Sequence, residues 1–377
     1  MSADPAAATP TPLAQKLASL IARAGPWRVN DYMQACLLDP EFGYYRQRAA
    51  LGRKGDFITA PEISQVFGEL IGLWCAVVWQ QMGSPRAVRL IELGPGRGTL
   101  MRDMLRAVRA VPGFHAALTV CLVETNAALA AEQQAALADA DVPVTWMSAL
   151  NTEAGDAPAI VIGNEFLDTL PVAQWVLVRG QWCARCVGVQ PDGRLCFVDG
   201  EPAHGLRLPP EIAQTAREGN VFETRTPLLE GWAAQLAALS PMLAALFIDY
   251  GHVTPVFGET LQAVKEHRYA DPLIAPGETD LTAQVDFAAV AEAMRNHGLA
   301  CDGPNAQAEF LGVLGISARA SRLMHANPER AGEIETAVAR LMAPGGMGTR
   351  FKAIGVRSPQ LAPLPGLTPV DTQSRYA

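Results

Sequence analysis

Several carboxylates in this sequence share one kind of address, at or just beyond the end of a short apolar run. Glu92 closes VRLIE, Glu124 closes LTVCLVE, Glu165 and Asp168 follow AIVIGN, and Asp249 closes ALFID. Runs of that kind read as buried strands, and in an open α/β sheet ligands bind outside the carboxyl ends of the strands. Acidic groups recurring along that rim suit a ligand or a reacting partner that carries positive charge. One such carboxylate taken alone is as readily a helix N-cap; a whole row of them is harder to explain structurally.

The stretch 88–106, VRLIELGPGRGTLMRDMLR, refines the ligand. It reads strand, Gly-rich turn, amphipathic helix, the arrangement that brings backbone close to a nucleotide-like group. Gly94, Gly96 and Gly98 stand at every second position, which departs from the GxGxxG spacing of dinucleotide sites. Glu92 before the turn would repel a pyrophosphate, and Glu124 after the next strand is placed to accept hydrogen bonds from a ribose. A ligand with a ribose and a cationic end fits this set better than NAD, and S-adenosylmethionine (SAM) is such a ligand. Ser148, after the third strand, and Asn164, at the end of the fourth, complete the expected cofactor wall. An NAD-dependent oxidoreductase remains as an alternative, as does a SAM-binding assembly or interaction factor with little turnover.

Methyl transfer from a sulfonium needs an acceptor held in line and water kept out, without a covalent enzyme intermediate. A guanidinium acceptor would need carboxylates to orient it. Glu165 and Asp168 are the expected catalytic pair, with Asp249 and Tyr250 on the substrate side; the plainer reading makes Asp168 a helix cap. A zinc site at Cys183, Cys186, Cys196 and His204 is not expected, because positions 183 and 186 of a strand point to opposite faces. No GxSxG elbow occurs, so a Ser-His-Asp hydrolase is excluded at the motif level.

These residues need a frame to hold them. The 377 residues, 49% apolar and 18% charged, can bury a sizeable core. A net charge of −8 argues against a sequence-independent nucleic-acid binder, and no apolar run approaches a membrane span. The small, Pro-rich residues 1–12 read as a disordered tail, neither a signal nor an Arg-rich transit peptide. Seven scattered cysteines suit reduced thiols, and the resulting expectation is a cytoplasmic protein. Helix patterns at 13–24, 29–38 and 64–82 form an N-terminal helical extension over 13–85, read as a cap or lid. Strands alternating with helices from 86 onward predict a doubly wound α/β sheet. Turn signals at Arg179-Gly180 and Pro191-Asp192-Gly193 mark an antiparallel β meander at 172–198, within an insertion at about 172–243. Residues 351–356 are expected to form a last edge strand.

The segments YMQACLLDPEFGYY, GDFITAPEISQVFGELIGLW, ELGPGRGT, GNEFLDTLPV, IDYG, LQAVKEH, DPLIAPGETDLTAQVDF and FLGVLGI together resemble the MidA-like SAM-dependent methyltransferases. That family includes a mitochondrial complex I assembly factor that is a protein arginine methyltransferase. The similarity runs from about residue 14 to 356. It implies a class I, Rossmann-like methyltransferase fold with SAM at Glu92, Gly94, Gly96, Gly98 and Glu124. It further implies that Gly55, Asp56, Phe57, Thr59, Pro61 and Glu62 line or cover the substrate side. A protein substrate follows, with a subunit of a respiratory complex as one candidate, no nucleic acid and no membrane insertion; a homodimer is compatible with the sequence. Gln284 departs from the histidine of the family's TAHVDF pattern, and GTRFKAIGV from its more apolar ending.

Overall fold

A computed structural model of the protein describes residues 10–47, 59–150, 155–265 and 268–369. Seven strands of its largest sheet frame the site: β1 (Val88–Leu93), β2 (Leu118–Val123), β3 (Val144–Met147), β4 (Ala159–Asn164), β5 (Leu243–His252), β6 (Ala300–Ala306) and β7 (Phe351–Arg357). They lie in the order β6-β7-β5-β4-β1-β2-β3, and a short strand, Val285–Asp286, pairs with the end of β5. Neighbours from β5 to β3 are parallel, whereas β7 runs antiparallel to both β5 and β6. The sheet is of the class I methyltransferase kind.

Alternation along the central strands explains why they are buried on both faces. Leu90, Ile160, Ile162 and Leu246 face one layer with Phe67, Ile71, Leu100 and Met104. Ile91, Val161, Ala245 and Phe247 face the other, with Leu236, Val290 and Met294. Helix Gln65–Gln81 enters the first layer with Ser64 as its N-cap, the hydroxyl accepting from the Val66 amide at 3.3 Å.

The meander forms a separate antiparallel sheet. Ala173–Val178, Gln181–Val189, Leu195–Pro202 and Val221–Thr224 pair there, together with Trp27–Arg28 from near the N-terminus. Helices Pro12–Ala24 and Val29–Leu38 pack on this sheet and on a three-stranded one (Gln262–Lys265, Arg268–Ala270, Asp280–Thr282) through Leu17, Tyr32, Val187, Ala263 and Leu281. The stretch 13–85, read from sequence as one helical extension, therefore contributes to two different cores.

Residues 351–357 are not at an edge. β6 lies outside β7, and its sequence, ACDGPNA, carries Gly and Pro and a register irregularity between Asp302 and Asn305, so it has no strand signature.

Candidate active site

A cavity of about 430 Å³ opens at the carboxyl ends of β1, β2 and β4. It is lined by Glu92, Gly94, Gly96, Glu124, Ser148, Asn164, Glu165, Asp168, Thr59, Pro61, Glu62 and Tyr250. The structure thus gathers these twelve expected site residues, more than 190 positions apart at the extremes, at one place. Gly98 and Asp249 are not on that wall, and Gly55, Asp56 and Phe57 lie outside the described residues.

On one side the Gly-rich turn follows β1 directly. Gly94, Gly96 and Gly98 all have positive φ, at 60°, 53° and 76°, where only glycine is unstrained. A Cβ on Gly98 would sit 3.4 Å from both Cα and Cγ of Gln133, in ordinary van der Waals contact with helix Ala127–Ala136, which packs behind the turn. Gln133 is fully buried on that helix, and its amide donates to the Gly96 carbonyl at 2.7 Å and to Glu124 Oε2 at 3.0 Å. The other Glu124 oxygen accepts from the Asn126 amide at 2.7 Å. Burial raises the Glu124 carboxyl, while these donors favour its charged form. Glu92, 3% exposed, is pushed up to about 8 by burial.

The opposite side is built where β4 ends. Glu165 adopts φ 51°, a left-handed conformation rare for a residue with a Cβ. Its Oε1 accepts from the Ala60 amide and from Asn164 Nδ2, both at 3.1 Å. Burial, reinforced by the nearby Asp168 charge, pushes Glu165 up to about 7. Burial likewise raises Asp168 to about 6, against the opposing pull of the Tyr250 hydroxyl and the Arg225 guanidinium. Asp249 stands behind them, fully buried, which is why it misses the cavity wall. Its Oδ2 accepts from the amides of Leu167 (2.9 Å) and Asp168 (3.1 Å), so it shapes the turn that carries Asp168. Burial and then the Asp168 and Glu165 charges hold the Asp249 carboxyl well above the usual carboxylate range. The buried Arg225 donates to the carbonyls of Leu170, Ala283 and Gln284 at 2.8–2.9 Å, pinning the far end of the same turn.

Three oxygens at this cavity stand out. Among the described residues, Glu92 Oε2, Asn164 Oδ1 and Asp168 Oδ1 are buried without a hydrogen-bond partner, an arrangement a protein tolerates where a ligand brings the donors.

Comparison with known proteins gives the arrangement its context. A family model for S-adenosyl-L-methionine-dependent methyltransferases matches residues 70–305. The chain is 36% identical to the protein arginine methyltransferase NDUFAF7 homolog, mitochondrial, of Drosophila melanogaster, over 91% of this chain and 84% of that one. It is 32% identical to the human mitochondrial protein arginine methyltransferase NDUFAF7, over 92% and 84%. The chain belongs to this family of SAM-dependent methyltransferases. A crystal structure from Burkholderia thailandensis with S-adenosyl-homocysteine bound superposes with a TM-score of 0.80 at 28% identity, covering 95% of this chain and 97% of that one. The curated relatives carry mitochondrial names, and that overturns the cytoplasmic placement expected from the sequence.

The wall suits the cofactor of a SAM-dependent methyltransferase. Its unpartnered atoms are all acceptors, as an ammonium group and a ribose diol require. Sequence reasoning missed other residues of this methyltransferase cavity. Tyr45, Trp232, Asp280 and Thr282 line it, and Tyr45 donates to Asp280 at 3.3 Å. Tyr45, Asp280 and Thr282 fall within the family-like segments YMQACLLDPEFGYY and DPLIAPGETDLTAQVDF, which was their one signal; Trp232 carried none. Among the described residues no group of three His, Cys, Asp or Glu side chains is placed to hold a metal, and no helix is long and apolar enough to cross a membrane.

Proposed function

We propose that this SAM-dependent methyltransferase methylates an arginine side chain of a protein. What carries the reading is one observation: Glu165, half-buried, and Asp168, buried, are raised to about 7 and about 6 and share the cavity with the Gly-rich turn. Two carboxylates whose surroundings disfavour ionisation are poised to take a cation, whose arrival stabilises their charged forms. The curated relatives named as protein arginine methyltransferases support the same acceptor.

In this reading Glu92 meets the ammonium of the cofactor, Glu124 the ribose hydroxyls, and Gly94, Gly96, Ser148 and Asn164 the rest of its surface. The bound cofactor supplies an electrophilic methyl. Asp168, with Oδ1 facing the cavity, holds the guanidinium, and Tyr250 orients that carboxylate. Glu165 adds the second negative charge. Methylation of a guanidinium releases one proton, and the Glu165/Asp168 pair, titrating near neutrality, is the acceptor matched to that task. Thr59, Pro61 and Glu62 form the substrate-side wall, and Trp232 and Phe166, with ring centroids 6.0 Å apart, help keep water out. Asp249, assigned from sequence to the substrate, acts behind the wall on the Asp168 turn. A respiratory-complex subunit, implied by the sequence resemblance, is the first substrate to assay.

The test is transfer of tritiated methyl from SAM into mitochondrial protein, with the modified residue identified by mass spectrometry. Methylarginine, abolished by Asp168→Asn with SAM binding retained, supports the proposal. Label on lysine or on a carboxylate, or transfer indifferent to Asp168→Asn, sinks it.

A further inference from the structure

We propose that Gln133 is a positioning residue for the cofactor: one buried amide fixes both the ribose-facing carboxylate and the Gly-rich turn. The inference rests on the proposed role of Glu124 as the ribose ligand.

Three contacts leave Gln133 no freedom. Its Nε2 has two hydrogens, and both are used, one on the Gly96 carbonyl at 2.7 Å and one on Glu124 Oε2 at 3.0 Å. Its Oε1 accepts from Trp146 Nε1 at 2.9 Å. An indole N–H only donates, so the end of the amide facing Trp146 must be the oxygen, and the amide cannot flip. The stem packs beside Gly98, its Cα and Cγ 3.4 Å from where a Cβ would stand.

The consequence falls on Glu124. A carboxylate offers about four lone-pair sites. The chain meets it with the Asn126 amide at 2.7 Å on one oxygen and Gln133 on the other, and the Thr125 amide adds a further donor. Acceptor capacity is left on a residue that lines the cavity, where a ribose hydroxyl can donate to it. The same amide holds Gly96, so the carboxylate and the turn keep a fixed relation. A buried glutamine at the centre of an alanine-rich helix is otherwise an expensive way to fill space, since its amide must be fully satisfied.

The experiment is SAM titration calorimetry on the full chain with Gln133→Leu, Glu124→Ala and the double variant, plus steady-state kinetics. Gln133→Leu is expected to weaken SAM about tenfold, as loss of a hydrogen bond to a charged group does. It should raise KM for SAM and leave kcat at saturating SAM nearly unchanged. In the Glu124→Ala background the same substitution should cost clearly less, the remainder being the part that acts through Gly96. With its amide donor gone, Glu124 should also titrate higher, moving the acid limb of SAM binding upward in pH. An equal loss in both backgrounds, or no loss at all, overturns the proposal and leaves Gln133 a packing residue. SAM binding unaffected by Glu124→Ala refutes the ribose-ligand reading instead. Should the leucine variant not fold, Gln133→Met, which keeps the side-chain length, supplies the same cycle.

Discussion

The backbone amide of Ala60 donates to Glu165 Oε1 at 3.1 Å, although the two residues are 105 positions apart. Thr59 and Ala60 begin the helix Ala60–Ile63, so the substrate-side wall is tied to the end of β4 through the very carboxylate assigned to the acceptor. Glu165→Gln separates the two duties. The glutamine carbonyl can still accept from Ala60 and Asn164, but it carries no charge. Thermal stability and SAM affinity should stay near those of the parent, while kcat/KM for an arginine substrate falls about a hundredfold, the scale of a lost acid–base or electrostatic contribution. Retained activity would remove Glu165 from the reaction and leave it only as the tether.

Glu92 allows a test that needs no substrate. Its folded carboxyl is raised to about 8 from an ordinary value of 4.5, so between those values the folded state holds a proton that the unfolded state has lost. Stability contributed by this group therefore falls as pH rises through that window and levels off above it. Glu92→Gln removes the penalty, which at neutral pH is at most a few kcal/mol. The variant should melt several degrees above the parent at pH 7.5, show no such gain at pH 4, and bind SAM more weakly. A gain of the same size at both pH values would show that ionisation is not its cause.

How much of this was legible beforehand depended on the kind of signal. VRLIEL, LTVCLV, AIVIGN and the LAALFIDYGH strand are apolar runs ending in acids, and local pattern suffices to find such strands and to place Glu92, Glu124, Glu165 and Asp168 at one rim. Gln133 was invisible because helical periodicity marks apolar faces, and a glutamine between Glu132 and Gln134 looks solvent-exposed. Tyr45 and Asp280 meet only in three dimensions. Asp249 was read as facing substrate because strand ends point there, yet the two amides it accepts turn it inward. β6 was missed because its pairing with β7, not its own composition, makes it a strand.

Gly98 and Gly180 make a controlled pair. Their φ values are 76° and 74°, but a Cβ on Gly98 meets Gln133 at 3.4 Å whereas one on Gly180 has nothing within 4 Å. Gly180→Ala should lose about 1–2 kcal/mol from backbone strain alone. Gly98→Ala should lose about as much, and should leave SAM binding near that of the parent, since a Cβ 3.4 Å from Gln133 is an ordinary van der Waals contact. Denaturant melts of the two variants compare them directly. A larger loss at Gly98, or weakened SAM binding, would show that Gln133 shifts to admit the methyl.

Asp249 turns the buried acids into a pH experiment. Burial raises all three carboxyls, Asp168 adds to the rise of Glu165, and both add to that of Asp249, so the limb belongs to interacting groups rather than to one residue. A cationic acceptor needs the ionised forms, and an arginine does not titrate in this range. Hence kcat/KM should climb between about pH 5.5 and 7.5, bracketing the values of about 6 and about 7 for Asp168 and Glu165, and stay flat above. The kcat limb should lie lower, because bound guanidinium favours the carboxylates. Burial and Asp168 raise Glu165, burial raises Asp168, and Asp249 raises neither, so Asp249→Asn should leave the kcat/KM limb in place. The asparagine carbonyl can still accept from the Leu167 and Asp168 amides, but its NH2 then opposes the Tyr250 amide, which now donates to Asp249 Oδ1 at 2.9 Å. A loss of about 1–3 kcal/mol in stability should accompany the substitution, because Asp249 serves the turn and the charge of the pocket belongs to Glu165 and Asp168. A limb that moved to lower pH would show instead that Asp249 acts on their ionisation.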